Sequence, residues 1–360
     1  MKDSFYLGMD IGSVSLKTVV IDSNKNIIEK HYTRTKGQPL KTVIDVLSDV
    51  VTRIPADKIE RVGVTGSAGK KVSELIGGSF INEVIAQARA MERFHPEVRT
   101  AIEMGGEDSK LLLLKFNEAT KKIEIADFAM NGVCAAGTGS FLDQQASRLG
   151  FTIEEFSSAA LKSQNPPRIA GRCSVFAKSD MIHLQQIATP DYDIIGGLCY
   201  AMARNFKATI GKGKDFIKPV SFQGGVAANM GMRKAFENIL NLKEGELIIP
   251  EHFYHMGALG VIFCTMEDAA FTQRFLGLEK LKEHQGSHKE LGSPLRQLKK
   301  CGDAHHGKKD DKKWVNLSDS NKIDAYLGID VGSVSTNVVV IDENNNVLSK
   351  RYLPTAGRPI

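Results

Sequence analysis

A tandem repeat constrains the fold of this chain more than any other feature of its sequence. Residues 6–22 read YLGMDIGSVSLKTVVID, and residues 326–342 read YLGIDVGSVSTNVVVID, at an offset of 320. The second copy stops just after its opening hairpin strands, which are too few to bury a core of their own. We therefore expect a complete module at residues 1–275 and the truncated start of a second homologous module at residues 323–360.

The segment between the two copies, residues 278–322, is polar and basic. It carries 11 Lys/Arg against 7 Asp/Glu, which is most of the net charge of +5, and it has few branched apolar residues. A solvated, flexible linker explains this composition better than an arm that binds nucleic acid. We expect a linker here and no nucleic-acid partner.

Composition also limits where the protein works. No apolar run approaches the length of a membrane span, and the N-terminus MKDSFYLGMD lacks the pattern of a secretory leader. We expect a cytoplasmic protein without a membrane partner. The five cysteines are odd in number and widely scattered, which argues against a disulfide framework.

The pattern of apolar residues predicts a mixed α/β fold in two similar units. The first unit has strands at residues 5–10, 16–21 and 27–33, a helix at Leu40–Arg53 and a strand at Ile59–Thr65. The second has strands at residues 99–104, 109–115 and 123–129, helices beginning near Ala136, Ser174 and Tyr192, a strand at Val220–Gln223 and a helix from Ala227. Two such units favour two lobes with a cleft between them.

Three glycine-rich turns fall at strand ends. In GMDIGSVSLK, Asp10 suits a hydrated magnesium ion, while Lys17 and the amides of the turn suit phosphate oxygens. EMGGEDSK forms the equivalent hairpin of the second unit, and FQGGVAAN ends a strand and opens a helix, where an adenosine could lie against bare backbone. Hairpin formation alone explains any one of these turns, but the three in this order are far more specific.

These turns resemble those of the actin, sugar-kinase and heat-shock-chaperone ATPase superfamily. The segments VCAAGTGSFLDQQASRLG, GRCSVFAKSDMI and MGGEDSK narrow the resemblance to the activators of 2-hydroxyacyl-CoA dehydratases and the ATPase subunits of benzoyl-CoA reductases, over residues 5 to about 270. The resemblance implies a two-lobed actin-like fold with ribonuclease H-like lobes and a nucleotide cleft between them. Lobe I would comprise residues 1–95 and 250–275, and lobe II residues 96–249.

The resemblance also implies the function. ATP turnover with Mg²⁺ would drive low-potential electron transfer, under anaerobic conditions, from a 4Fe-4S cluster to an iron-sulfur dehydratase or reductase component. Reduced ferredoxin or flavodoxin would be the donor. The expected nucleotide-site residues are Asp10, Gly12, Ser13, Val14, Lys17, Gly105, Gly106, Asp108, Lys110, Gly224, Gly225 and Asn229, with Asp10, Glu103 and Glu107 as the catalytic residues. The chain departs from the family pattern with Glu103 for aspartate, Glu107 for glutamine and Lys178 for glutamate.

Two cysteines are the expected cluster ligands. Cys134 and Cys173 each precede an expected helix, so amide groups would face each thiolate, and Gly137, Thr138 and Gly139 would donate N–H groups to sulfur. A four-iron cluster takes four thiolates, so a second module must supply the other pair, either in a homodimer or from the tandem copy. Cys199 and Cys264 lie in apolar helical patterns and are expected in the core.

Two alternatives use the same cleft. A sugar or small-molecule kinase would need a catalytic aspartate aimed at a substrate hydroxyl and has no use for paired cysteines at helix starts. A nucleotide-gated scaffold would bind ATP and lack the cluster.

Overall fold

The computed structural model describes residues 4–131, 137–268, 270–287, 324–332 and 335–354. The chain divides into two compact units, and the first comprises residues 1–181 and 190–287. Within the described ranges, no helix combines the length and the apolarity needed to cross a bilayer.

The first sheet of this unit has five strands in the order β3-β2-β1-β4-β5. Strands β1 (Phe5–Ile11), β2 (Ser15–Asp22) and β3 (Ile27–Arg34) form an antiparallel meander, and β4 (Ile59–Thr65) and β5 (Ser79–Phe80) extend it in parallel. Its helices are α1 (Pro39–Arg53), α2 (Gly69–Ile76) and α3 (Glu83–Phe94). The expected strands and the expected helix at residues 40–53 are confirmed.

The second sheet also has five strands, in the order β10-β9-β6-β7-β8. They are β6 (Thr100–Met104), β7 (Ser109–Asn117), β8 (Lys122–Met130), β9 (Val220–Gln223) and β10 (Leu247–Ile248). The helices that follow β8 are α4 (Gly139–Leu149), α5 (Ile153–Ala160), α6 (Ser174–Gln186), α7 (Asp191–Thr209), α8 (Met230–Ile239), α9 (Met256–Glu267) and α10 (Glu279–Ser287). The mixed α/β class expected from the sequence is confirmed.

Helix α9 packs unusually close to its neighbours because glycines line the contact. A Cβ placed on Gly8 would lie 2.0 Å from the carbonyl oxygen of Ala258, and one placed on Gly260 would lie 1.8 Å from that of Ala86. Only glycine fits at such distances. At the first contact α9 packs against β1, and at the second it packs against α3.

One expected helix start lies outside the described residues, and another needs correction. Ala136 lies outside the described residues, and α4 begins at Gly139. The segment from Gly225 to Ala228 is a short 3-10 turn, and α8 begins only at Met230, where the Asn229 side chain accepts a hydrogen bond from the amide of Met232 at 3.0 Å. An N-cap of this type satisfies an amide that has no partner within the helix.

The expected linker begins too early. Residues 279–287 form α10, and Leu278 and Leu281 are buried in the same core cluster as residues of β1, α1 and α2. The sequence suggested a linker because α10 is charged on most of its surface, but two leucines three positions apart are enough to anchor it. Residues 288–323, which include Cys301, lie outside the described residues.

The second unit contains an antiparallel sheet of three strands, β11 (Ala325–Val331), β12 (Ser335–Asp342) and β13 (Val347–Pro354). Its pairing repeats that of β1–β3 at an offset of 320: Tyr6 lies opposite Ile21, and Tyr326 lies opposite Ile341. The register also shifts at the corresponding place in both sheets. The sequence repeat is therefore a repeat of structure.

Candidate functional site

Two hairpin turns meet in the first unit. They are the turn between β1 and β2, at residues 12–14, and the turn between β6 and β7, at residues 105–108. A Cβ placed on Gly106 would lie 2.6 Å from the Cβ of Val14, so glycine allows the two turns to touch. The first turn of α4 closes the second hairpin, because the amide of Gly139 donates to the carbonyl of Gly105 at 2.9 Å.

The turn between β1 and β2 has fewer backbone amides available to a ligand than the sequence suggested. The amide of Gly12 donates to the carbonyl of Ser15 at 3.1 Å and so closes the hairpin itself. Thr35 donates its hydroxyl to the carbonyl of Ser13 at 2.5 Å and its amide to that of Val14 at 2.9 Å. The amides of Ser13 and Val14 remain as candidates for a ligand.

A polar cavity of about 560 Å³ lies beside the two turns. It is lined by Asp10, Gly12, Ser13, Val14, Ser15, Lys17, Thr65, Ser67, Glu83, Gln87, Glu103, Gly105, Gly106, Glu107, Asp108, Lys110, Thr138, Ser140 and Gln144. All three expected catalytic residues belong to this set. Glu107 is exposed, whereas Glu103 is buried.

Asp10 and Lys17 form an ion pair in this cavity, with 3.2 Å between Oδ2 and Nζ. They lie opposite each other in the β1–β2 hairpin, which fixes their separation. Burial alone would lower the pKa of Lys17, but the charges of Asp10 and Glu103 outweigh burial and raise that pKa above its ordinary value. Lys17 therefore carries a positive charge at neutral pH.

Lys110 lines this cavity, and its ammonium group is paired with carboxylates. Its Nζ lies 2.5 Å from Oδ2 of Asp108, 2.6 Å from Oε2 of Glu83 and 3.0 Å from Oε2 of Glu103. Burial alone would lower the pKa of Lys110, but these three carboxylates outweigh burial and raise it. Burial raises the pKa of Glu103 to about 7, against the opposing charge of Lys110.

A second, less polar cavity of about 470 Å³ adjoins the first. The two share Val14, Ser15, Lys17, Gly105 and Gly106. Among the residues that line the second cavity alone, the rings of Tyr32 and Tyr254 lie 4.8 Å apart, and Arg34 donates to Asp143 at 2.6 Å. The Nδ2 atom of Asn229 is buried and has no hydrogen-bond partner among the described residues.

The third glycine turn brings backbone to this cavity. Gly224 has a φ of 86° and a ψ of 177°, a conformation essentially restricted to glycine. A Cβ there would lie 2.4 Å from the carbonyl oxygen of Met104. Gly225 lines the second cavity, and a Cβ on it would lie 3.7 Å from the hydroxyl of Tyr32.

Sequence reasoning missed seven polar residues that line the first cavity, namely Ser15, Thr65, Ser67, Glu83, Gln87, Ser140 and Gln144. It also missed Gln223, which contacts one of them. Gln223 donates to the side chain of Gln87 at 2.5 Å, and both are buried. The hydroxyl of Thr65 is buried without a partner among the described residues. A usable signal existed for Glu83, because Asn82 before it is a typical helix N-cap, which places Glu83 in the first turn of a helix.

The expected cluster ligands are only partly within the described structure. Cys134 lies outside the described residues, while Cys173 is partly exposed immediately before α6. Two apolar side chains at the start of α6, Val175 and Phe176, are each 65% exposed. Within the described part of the chain, no three His, Cys, Asp or Glu side chains are grouped to hold a metal ion.

The backbone around Gly139 forms hydrogen bonds with the β6–β7 hairpin. The Gly139 amide is bonded to Gly105, and the carbonyl of Gly137 accepts a hydrogen bond from Ser109 at 2.6 Å. The expected N–H donation from Gly139 to sulfur is therefore wrong for this structure. Thr138 is buried beside the polar cavity, and Lys178 is exposed on α6.

The core positions of the other two described cysteines are confirmed. Cys199 on α7 and Cys264 on α9 are buried, and burial raises the pKa of the Cys199 thiol to about 12. A thiol with so high a pKa is neutral and is a poor ligand and nucleophile at neutral pH.

The two five-stranded sheets place the chain in the actin-like ATPase fold, which it shares with solved structures of dehydratase activators. The chain belongs to the BadF/BadG/BcrA/BcrD ATPase family, whose sequence profile matches residues 7–261. The resemblance seen in its motifs is thereby confirmed.

Individual relatives agree with this assignment. The chain is 32% identical over 273 residues to a 2-hydroxyisocaproyl-CoA dehydratase activator of Clostridioides difficile, with 75% of this chain and 98% of that protein covered. It is 29% identical over 270 residues to an (R)-2-hydroxyglutaryl-CoA dehydratase activating ATPase of Acidaminococcus fermentans, with 74% and 98% covered. The solved structure of the activator of the 2-hydroxyisocaproyl-CoA dehydratase from Clostridium difficile with bound ADPNP superposes with a TM-score of 0.63 at 28% identity, covering 81% of this chain and 99% of that one.

Proposed function

We propose that this protein is an ATP-dependent activator that uses ATP binding and hydrolysis to drive low-potential electron transfer to a partner enzyme. The partner would be a 2-hydroxyacyl-CoA dehydratase or a benzoyl-CoA reductase-like enzyme, as the names of the relatives suggest. The observation that carries the proposal is the pair of adjoining cavities, one polar and one less polar, which share the contact point of the two hairpin turns. Such a cleft suits a nucleotide whose two ends differ in polarity.

The less polar cavity fits the adenosine end. The Nδ2 atom of Asn229 is a buried donor with no partner in the described part of the chain, and a nucleotide acceptor would satisfy it. A buried donor that lacks a partner costs free energy. Tyr32 and Tyr254 supply aromatic surface, and Gly225 keeps one wall free of side chains. ADP and ATP would both occupy this end.

The polar cavity fits the phosphates and a magnesium ion. Asp10 would hold the hydrated Mg²⁺, and Lys17 with the amides of Ser13 and Val14 would meet phosphate oxygens. Carboxylates suit a hard cation, and the carboxylate of Asp10 lies in this cavity beside Lys17, its neighbour across the hairpin. Glu107, exposed in the turn of the second hairpin, is proposed to orient the attacking water, with Glu103 behind it.

We place the cluster ligands at Cys134 and Cys173. The described residues fit this in part, since Cys173 is accessible at a helix start beside the exposed Val175 and Phe176. When bound, a 4Fe-4S cluster supplies one-electron chemistry at low potential. One module offers two cysteines, so a second module must offer the other two, in a homodimer or from the tandem copy.

The three-stranded sheet β11–β13 is proposed to open such a tandem module. Residues of its strands that correspond to buried ones in β1 are exposed: Leu7 and Met9 are fully buried, whereas Leu327 and Ile329 are 63% and 59% exposed. Gly328 keeps the glycine that Gly8 needs for contact with α9. We propose a first module at residues 1–287, a linker after it, and the opening sheet of a second module at residues 325–354.

Anaerobic purification tests the proposal. We expect Mg²⁺-dependent ATP hydrolysis, a visible sulfur-to-iron absorption band, and iron and sulfide in comparable amounts. Cys173→Ser should remove iron and leave ADP binding unchanged, while Cys199→Ser, a substitution in the core, should lower stability and retain iron. ATP hydrolysis without iron in the wild type would support a nucleotide-gated scaffold instead, and iron retained by Cys173→Ser would contradict the ligand assignment.

A further inference from the structure

The ammonium group of Lys110 is fully engaged by carboxylates. A lysine has three N–H donors, and three carboxylate oxygens lie within 3.0 Å of Nζ, one each from Glu83, Glu103 and Asp108. The Lys110 side chain is 3% exposed, so water competes little for these donors. In this arrangement Lys110 has no donor left for a phosphate group.

Glu83 differs from the other two carboxylates in where it lies in the chain. Glu103 and Asp108 belong to the β6–β7 hairpin, as Lys110 does, whereas Glu83 is the first residue of α3. The start of α3 is fixed by Asn82, whose side chain accepts a hydrogen bond from the amide of Val84 at 2.9 Å. A carboxylate in a first helical turn is also favoured by the helix dipole. Glu83 therefore holds Lys110 from a rigid element outside the hairpin.

We infer that Glu83 is a positioning residue of the catalytic centre. By binding Lys110, it would fix the positions of Glu103 and Asp108. It would also keep the ammonium group of Lys110 away from the phosphates. The inference rests on the proposed function, because it presupposes a nucleotide phosphate in the polar cavity. Glu83 itself lines that cavity, and its side chain is 27% exposed.

Loss of Glu83 would change the centre in a defined way. One N–H donor of Lys110 would be released, and Lys110 would turn this donor toward the cavity. Glu103 and Asp108 would then be held by a lysine that is no longer anchored to α3. Nucleotide binding would be kept or strengthened, because a cation would approach the phosphates, while turnover would fall because the acidic groups would lose their fixed positions.

The test uses the full chain and three variants. Glu83→Ala removes the acceptor, and Glu83→Gln keeps an oxygen acceptor of the same reach. Glu246→Ala is the matched control, since Glu246 forms an equally short pair with Lys218, at 2.6 Å, and does not line either cavity. We expect Glu83→Ala to lower kcat for ATP at least about tenfold without raising KM, Glu83→Gln to recover part of the loss, and Glu246→Ala to leave both within about twofold.

Hydrogen exchange at the Gly105–Lys110 turn, measured without nucleotide, separates this inference from the proposed function. Glu83→Ala should speed exchange in that turn, Glu83→Gln should do so less, and Glu246→Ala should not change it. If the wild type does not hydrolyse ATP, the proposed function fails and exchange alone decides the role of Glu83. Unchanged exchange in Glu83→Ala, an unchanged kcat in an active protein, or a loss confined to KM would each overturn the inference.

Discussion

The Nζ atom of Lys17 lies 3.2 Å from Oδ2 of Asp10, directly opposite it in the first hairpin. The three-stranded sheet β11–β13 repeats this pair with one change: Asn337 lies opposite Asp330, and its Nδ2 atom is 3.3 Å from Oδ2 of Asp330. The geometry is kept while the positive charge is lost. Asp330 can therefore serve as a matched control for substitutions of Asp10 in the first hairpin.

Asp10→Asn should abolish Mg²⁺-dependent ATP hydrolysis and leave the fold intact. Asparagine keeps the shape of the side chain and removes the charge that would hold the cation, so we expect turnover to fall by about a hundredfold or more. Steady-state ATPase assays across a magnesium series would measure this.

Asp330→Asn is the control for that substitution, because it makes the same chemical change in the repeated hairpin. We expect it to leave hydrolysis within about twofold of wild type. Turnover of the Asp10→Asn variant near the wild-type rate would contradict the assignment of Asp10.

Glu103 should make stability fall as pH rises. Burial raises its pKa from 4.5 to about 7, so between these values the folded state binds more protons than the unfolded state. Stability then decreases with rising pH across this window, by at most about 3 kcal/mol. Urea unfolding of wild type and Glu103→Gln, from about pH 5 to about pH 8, would measure the difference in the free energy of unfolding.

The comparison with Glu103→Gln is needed because a histidine acts in the opposite sense. Burial lowers the pKa of His255 to about 4, so the folded state binds fewer protons between that value and 6.5, and stability rises with pH there. Subtracting the variant removes this contribution. A difference between wild type and variant that does not change with pH would show that the pKa of Glu103 is not raised.

Leu281 tests whether α10 belongs to the folded module. It is fully buried against the core that includes β1, α1 and α2. Leu281→Ala should lower the free energy of unfolding by about 2–4 kcal/mol, as expected for a large-to-small change in a core. Leu327→Ala, in an exposed position of strand β11, should change the free energy of unfolding by less than about 0.5 kcal/mol. Equal effects of the two would place α10 outside the folded module.

The hairpin strands could be predicted from the sequence because their apolar residues alternate and their turns carry Asp, Asn and Gly. The packing of helix α9 could not be predicted, although Cys264 lies in an apolar helical pattern, because MGALGVIFCTME is apolar on every side and no face of it indicates a particular neighbour. Its position depends on contacts with β1 and α3 that are distant in sequence. Helix α10 was missed for the opposite reason, since two leucines in a charged segment resemble a linker.

The candidate site was predictable to the level of its turns. Glycine pairs and strand ends indicated where Asp10, Gly106 and Gly224 would lie, and the structure brings their turns together. The partners of Lys110 could not be predicted, because a lysine after a glycine turn suits a phosphate as well as it suits a carboxylate. One of the carboxylates that bind Lys110 comes from Glu83 in α3, and the sequence spacing does not predict that contact.

Gly224→Ala should be much more damaging than the same change at another glycine of positive φ. At Gly224 the backbone conformation is strained for alanine, and a Cβ would also lie 2.4 Å from the carbonyl of Met104. At Gly213, with a φ of 70°, a Cβ would meet nothing within 4 Å, so only the conformational cost of about 1–2 kcal/mol applies. We expect Gly224→Ala to lower the free energy of unfolding by about 2 kcal/mol more than Gly213→Ala does. We also expect it to weaken ADP binding, because a shift of this turn would move Gly225, which lines the second cavity. Urea unfolding and calorimetric titration with ADP would measure both, and equal stability losses with unchanged ADP affinity would contradict the role given to this turn.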